Sequence, residues 1–336
     1  MRTWQLTATG LDHLQLVDRP TPEPGEHDVV VRIRAASINY RDWMIASGTY
    51  RMASRYPVVP LSDGAGDIVA VGRKVANWRV SDRVTTSFFT DWIDGAQTPA
   101  GAATALGGAI DGVLAEAVVL PAHGVIRTPA HLSDIEAATL PCAAVTAWHA
   151  LFEGQDPVRP GHSVVLEGTG GVSVFGLQLA KLAGARTIVT SSSDAKLERG
   201  KGLGADSLIN YKSLPDWDKE VLRRTDGVGV DHIVEVGGAN TLEKSMNAVR
   251  PGGSIYVIGS LAGAGTINPR IINRKELHLH GVHVGSREMF NAMNRAVSLA
   301  RLRPPVDRIF SFAEAKQAYA HHATGGHFGK IVIAVQ

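Results

Sequence analysis

The chain has 336 residues, 44% hydrophobic and 20% charged, the makeup of a globular protein large enough for about two domains, which excludes extensive disorder. Lys and Arg total 34 against 32 Asp and Glu, a net charge of +2, so no bulk field draws the protein to nucleic acid or to an anionic membrane. No apolar run reaches the roughly 18 residues that span a bilayer, and Met1–Thr7 lacks the apolar core of a secretory signal, so a cytoplasmic location is expected.

The first 120 residues read as short strands. Val29–Ala36 follows the turn Pro22-Glu23-Pro24-Gly25, Ile68–Gly72 is an apolar run closed by glycine, and Val113–Leu120 stops at Pro121. Phe88, Phe89 and Trp92 come next in this region and could line an apolar pocket. Cys142 is the single cysteine, which excludes an intrachain disulfide and any zinc site built on several thiolates.

From Ser163 the rhythm changes. Strands at Ser163–Glu167, Arg186–Thr190, Ser207–Asn210, Val230–Glu235 and Ser254–Ile258 alternate with helical stretches such as Val174–Ala183 and Asp194–Leu203. That alternation predicts a parallel, doubly wound α/β sheet. Leu277–His283 sets His278 and His280 on one face of a strand, read as exposed. Helices at Met289–Ala300 and Ala313–His321 and a strand at Ile331–Val335 follow, with His321, His322 and His327 expected at a solvated helix end and loop. A βαβ domain is thus inserted into a β-rich domain built from both ends of the chain.

Between the strand ending at Glu167 and the next helix lies Gly168-Thr169-Gly170-Gly171-Val172-Ser173. Gly168 permits a tight turn, and Gly170 lets the backbone approach a pyrophosphate seated on the helix N-terminus. Ser173 stands at the third glycine position, where a small residue is needed. The pattern points to a dinucleotide. The end of the second strand, Thr190-Ser191-Ser192-Ser193, carries no acid before Asp194, and Lys196 lies one turn on. Hydroxyls and a lysine suit a 2′-phosphate, so NADP(H) is the expected cofactor, although Ser192-Ser193-Asp194 also reads as a helix cap.

These motifs resemble the medium-chain dehydrogenase/reductase superfamily, in particular its zinc-free quinone oxidoreductase-like branch. The similarity rests on Ala35–Asp42, Leu61–Gly66 with Ile68–Gly72, Asp82-Arg83-Val84, Leu140–Ala147, Ala205-Asp206 with Ile209–Tyr211, Pro251-Gly252-Gly253 and Gly329–Val332. It implies a Rossmann domain, 123–260, inserted into a GroES-like catalytic domain, 1–122 and 261–336. It also implies cofactor contacts from Thr146, Gly168, Thr169, Gly170, Gly171, Val172, Ser191, Ser192, Lys196, Tyr211, Gly237, Gly259 and Lys330. Zinc-dependent members take ligands from three strings, where this sequence has Asn39, Ser62 and Cys142. One soft ligand does not hold Zn²⁺, so no metal is expected, and Cys142 reads as a small packing residue.

Without a Lewis acid to stabilise an alkoxide, reduction of an electron-poor acceptor is easier than alcohol oxidation. The resemblance implies hydride transfer from NADPH to a quinone or an α,β-unsaturated carbonyl, with Asn39 and Tyr50 as catalytic donors. Two alternatives stay open: a zinc-free alcohol dehydrogenase or carbonyl reductase, and a non-catalytic NADPH-binding protein. The resemblance further implies a homodimer, joined through strands near Ser254–Ile258 and the segment after them.

Overall fold

The computed structural model describes residues 1–50, 55–259 and 265–335. The chain forms two compact units, Met1–Val145 with Gly285–Gln336, and Thr146–Val284. The domain limit expected at 260/261 falls outside the described residues.

In the second unit six strands form an all-parallel sheet in the order Ser207–Asn210, Arg186–Ser191, Ser163–Glu167, Val230–Glu235, Val249–Val257, His278–Gly281. Numbered along the chain, this is the 3-2-1-4-5-6 order of a Rossmann sheet. The strands read as apolar runs because helices cover both faces: Val164, Val165, Leu166, Ile233, Val234 and Ile255 are all buried. Strand order reverses between Ser163–Glu167 and Val230–Glu235, so the ligand crevice of such a sheet lies beyond the C-terminal ends of these two. The strand read at Ser254–Ile258 is longer, Val249–Val257, and has a partner on each side. The outermost strands are Ser207–Asn210 and His278–Gly281, so at the end of the sheet where copies were expected to join the edge is His278–Gly281 and not the strand before it.

The larger sheet of the first unit runs Val306–Ser311, Lys330–Ala334, Asp28–Ile38, Asp63–Val71, Arg83–Thr86, Val125–Arg127, with Ala117–Pro121 also paired to Asp28–Ile38. Every pair is antiparallel except the first. Its core gathers Leu6, Ile33, Ile45, Leu61, Ile331 and Ile333. Phe88, Phe89 and Trp92 are buried and stack edge to face at 4.7 and 5.8 Å, as packing residues of the interior do. A helix not foreseen in the sequence, Tyr40–Ser47, starts at Asn39, whose N–H donates to Asp42 Oδ2 at 2.8 Å, and ends at Gly48 with φ 74°. His322 is not solvated: it is buried, stacks on His327 at 4.9 Å, and burial lowers its pKa to about 3. Among the described residues no helix is long and apolar enough to cross a membrane.

Candidate active site

Strand register builds the polar centre of the first unit. Ile331 pairs with Ile38, so Lys330, which opens the last strand, meets Asn39, which follows the end of Asp28–Ile38. The Lys330 ammonium is almost fully buried and donates to Ile38 O at 2.8 Å and to Asn39 Oδ1 at 2.5 Å. An ammonium only donates, so it binds the amide oxygen and turns the amide nitrogen the other way. Asn39 Nδ2 is buried and has no partner. The site thus holds a donor with a fixed direction and no hydrogen-bond partner, an arrangement that costs roughly 1–3 kcal/mol.

Asp63 and Asp42 balance the nearby cations. Asp63 Oδ2 lies 3.8 Å from the Lys330 ammonium and accepts the Cys142 N–H at 3.2 Å, while its Oδ1 accepts the Ser62 hydroxyl at 2.7 Å. Burial pushes the Asp42 carboxyl up to about 6, against the opposing pull of Arg41 and of the Asn39 N–H. Asp42 Oδ1 and the Tyr319 hydroxyl are both buried without a hydrogen-bond partner, though Arg41 Nη1 lies 3.8 Å from Asp42 Oδ1. Burial, then the Asp42 charge, raises Tyr319 well above the ordinary tyrosine range. The Arg41 guanidinium donates to Leu106 O at 2.6 Å and lies over the rings of Phe88 and Tyr50 at 4.6 and 5.6 Å. Tyr50 sits just past the helix that Asn39 starts, its N–H bonded to Met44 O at 3.2 Å. One short helix therefore carries both expected donors at its two ends.

The three positions compared with zinc ligands do not form a zinc donor set. Asn39 offers its oxygen to an ammonium, Ser62 is spent on Asp63, and burial together with the Asp63 charge holds the Cys142 thiol above its ordinary range, whereas zinc takes a thiolate. Among the described residues no group of three or more His, Cys, Asp or Glu is placed to hold a metal ion.

In the second unit the glycine turn fits a dinucleotide. Gly168 has φ 74°, which favours glycine, and a Cβ on Gly168 or Gly170 would meet nothing within 4 Å. Helix Gly171–Leu182, preceded by Thr169 and with Val172 in its first turn, has no side-chain cap on its N-terminus, which leaves N–H groups for an anion. The tight helix–strand packing comes from Gly176, not from the third fingerprint position: its Cβ would lie 2.8 Å from Leu166 Cδ1. Ser173 instead donates to Glu167 O at 2.5 Å.

Ser191 ends one strand and Tyr211 follows the end of the adjacent one, the Tyr211 N–H donating to Ser191 O at 3.1 Å. Ser192 and Lys196 flank Ser193, which caps Asp194–Gly202. Thr146 is buried in helix Val145–Phe152, after the π-helical turn Leu140–Ala144. Gly259 has a different duty: a Cβ there would stand 2.1 Å from Val236 O.

Sequence reasoning missed a buried carboxyl pair beneath this turn. Glu167 ends the first strand and Glu235 the fourth, and Ser245 Oγ contacts both, at 2.7 Å from Glu167 Oε1 and 2.5 Å from Glu235 Oε2. Glu235 Oε1 also accepts from Gly237 N, Gly238 N and Thr241 Oγ1 at 2.7, 2.9 and 2.6 Å. Two acids at matching strand ends are a signal, but only the strand order makes them neighbours.

Residues 25–130 match the alcohol dehydrogenase GroES-like domain, and residues 171–298 match the zinc-binding dehydrogenase domain. A zinc-type alcohol dehydrogenase-like protein of Schizosaccharomyces pombe is 44% identical over 97% of this chain and 96% of its own length. The human quinone oxidoreductase is 27% identical over 94% of this chain and 92% of its own. A crystal structure from Sinorhizobium meliloti 1021, described as an alcohol dehydrogenase, superposes with TM-score 0.92 at 42% identity, covering 99% of this chain and 98% of that one.

Proposed function

This chain belongs to the medium-chain dehydrogenase/reductase superfamily and is an oxidoreductase of it; from that premise we propose a zinc-independent, NADPH-dependent reductase of quinones or α,β-unsaturated carbonyls. The observation that carries the reading is the unpartnered Asn39 Nδ2, held as a donor by an ammonium near the positions where zinc-dependent members place ligands. Bound NADPH supplies a hydride. Asn39 binds the substrate carbonyl oxygen and stabilises the charge that gathers there, an interaction stronger in the transition state than in the ground state. Lys330 keeps the amide turned and adds positive potential behind it. Tyr50 delivers the proton to the reduced substrate as a neutral hydroxyl. Gly168, Gly170 and Gly171 cradle the pyrophosphate; Ser191, Ser192, Lys196 and Tyr211 take the 2′-phosphate.

The test is NADPH oxidation against quinones, enones, enoyl thioesters and aldehydes, with 4-deuterated NADPH to trace the hydride. Label transfer to an enone, or quinone-driven oxidation, supports the proposal. NADP⁺ reduction by secondary alcohols that survives a chelator, with no enone or quinone turnover, would replace it with a zinc-free alcohol dehydrogenase, a reading the similarity to alcohol dehydrogenase-like proteins favours. Activity lost with near-stoichiometric zinc would overturn the metal-free part.

A further inference from the structure

We propose that Glu167 and Glu235 hold one proton between them, that it resides on Glu167, and that the chain from Glu167 O–H through the Ser245 hydroxyl to the Glu235 carboxylate clamps the two glycine turns Gly168–Gly171 and Gly237–Gly238 together. The functional half of this rests on the reading of those turns as the dinucleotide site.

The proton count leads to it. Ser245 has one hydroxyl hydrogen and two carboxyl oxygens within 2.7 Å. It donates to one; the other short contact needs a hydrogen that only a protonated carboxyl supplies. The surroundings say which. Glu235 Oε1 accepts two backbone N–H groups and the Thr241 hydroxyl, and such donors favour a carboxylate. Glu167 Oε2 is buried and accepts nothing. The charged group facing Glu167 is Glu235 on the neighbouring strand; helix Ala239–Ala248 contributes Ser245 and helix Gly171–Leu182 contributes Ser173, both neutral. Burial and the Glu235 charge accordingly push Glu167 well above the ordinary carboxyl range.

Position gives the pair its use. Glu167 immediately precedes Gly168, and the Glu235 carboxylate binds the N–H groups of Gly237 and Gly238. The two turns lie on either side of the point where strand order reverses, and Ser245 ties them from below. Glu235 and Glu167 are positioning residues, acting on the turns and not on any substrate.

The variants separate the two carboxyls. Glutamine at 167 still offers a donor to Ser245 and stays neutral, so Glu167→Gln should keep thermal stability and leave NADPH affinity within about threefold of wild type. In Glu235→Gln the amide oxygen can still face Gly237 and Gly238 but the negative charge is gone, so NADPH affinity should fall about 10- to 150-fold, the range for losing a charged hydrogen-bond partner, and the melting temperature should fall in the cofactor-free protein. Infrared spectra of the cofactor-free protein near neutral pH should show the carbonyl stretch of a protonated carboxylic acid, absent in Glu167→Gln. A group with a raised folded pKa loses its stabilising contribution as pH rises, so wild type should lose stability relative to Glu167→Gln from the ordinary Glu range upward. No acid band that Glu167→Gln removes, or a loss of stability in Glu167→Gln as large as in Glu235→Gln, overturns the proposal. Should Glu235→Gln fail to fold, the band and the Glu167→Gln melting curve still decide it. If both hold while wild type binds no dinucleotide, the clamp stands and the cofactor reading fails instead.

Discussion

At the scale of single residues, the proposed reaction turns on one constrained amide in the first unit. Lys330→Met removes the cation that turns Asn39 and the ammonium's bond to Ile38 O; turnover should fall about 10²–10³-fold, the usual loss of a transition-state donor. The mechanism demands non-additivity: Lys330→Met combined with Asn39→Ala should be barely worse than Asn39→Ala alone. A double-mutant cycle with independent losses would show that the lysine acts elsewhere. Asp42 makes a pH prediction. Its carboxyl titrates near 6 in the fold against 3.8 in the free side chain, so its contribution is complete below the lower value and lost as pH rises through the upper one. Denaturant curves should show Asp42→Asn gaining on wild type by up to about 3 kcal/mol across that window. In the second unit, Lys196→Ala should weaken NADPH by about 10- to 150-fold and spare NADH; equal losses would remove Lys196 from the 2′-phosphate. Asn39 and Lys196 could be singled out in the sequence because each stands in a local string with its own chemistry. The meeting of Asn39 with Lys330 was not, since 291 positions separate them and only strand register joins them. Nor was the burial of His322, which a polar helix end hides.

Among elements, the strand–glycine–helix unit separates two kinds of glycine. Nothing surrounds a Cβ on Gly170, and its φ of −78° suits any residue. Gly170→Ala should therefore leave stability within about 0.5 kcal/mol while NADPH binding drops, because the methyl occupies the ligand's space. Gly168→Ala is different: at φ 74° an L side chain is strained by about 1–2 kcal/mol. Chemical denaturation and dinucleotide titration of the two variants test the contrast directly. The alternation of strands and helices from Ser163 onward was readable because parallel strands, buried on both faces, appear as unbroken apolar runs. Helix Tyr40–Ser47 escaped notice: it has only eight residues and mixes Arg41 and Asp42 with Ile45 and Ala46, all buried. Its polar members turn inward to the site, where function overrides the usual division of faces.

For the whole molecule, the open edge His278–Gly281 bears on assembly. An unpaired parallel-sheet edge invites a second copy, and light scattering at micromolar concentration should give about 71 kDa, twice 35.7 kDa. A monodisperse monomer would refute this. The doubly wound class was legible in the sequence; which strand lies outermost was not, because that depends on the 3-2-1-4-5-6 order and not on any local pattern. The last strand, Lys330–Ala334, has a further effect on how the protein is made. It is inserted between Val306–Ser311 and Asp28–Ile38 and buries Ile331, Val332 and Ile333, each worth about 1.5–3 kcal/mol. A ribosome releases it well after every strand of the parallel sheet has emerged. The inserted unit can fold while translation continues, whereas the unit that surrounds it must wait with Asp28–Ile38 lacking one neighbour and its apolar residues uncovered. Newly made chains should lean on chaperones during that interval, and Lys330 arrives with the segment that ends it.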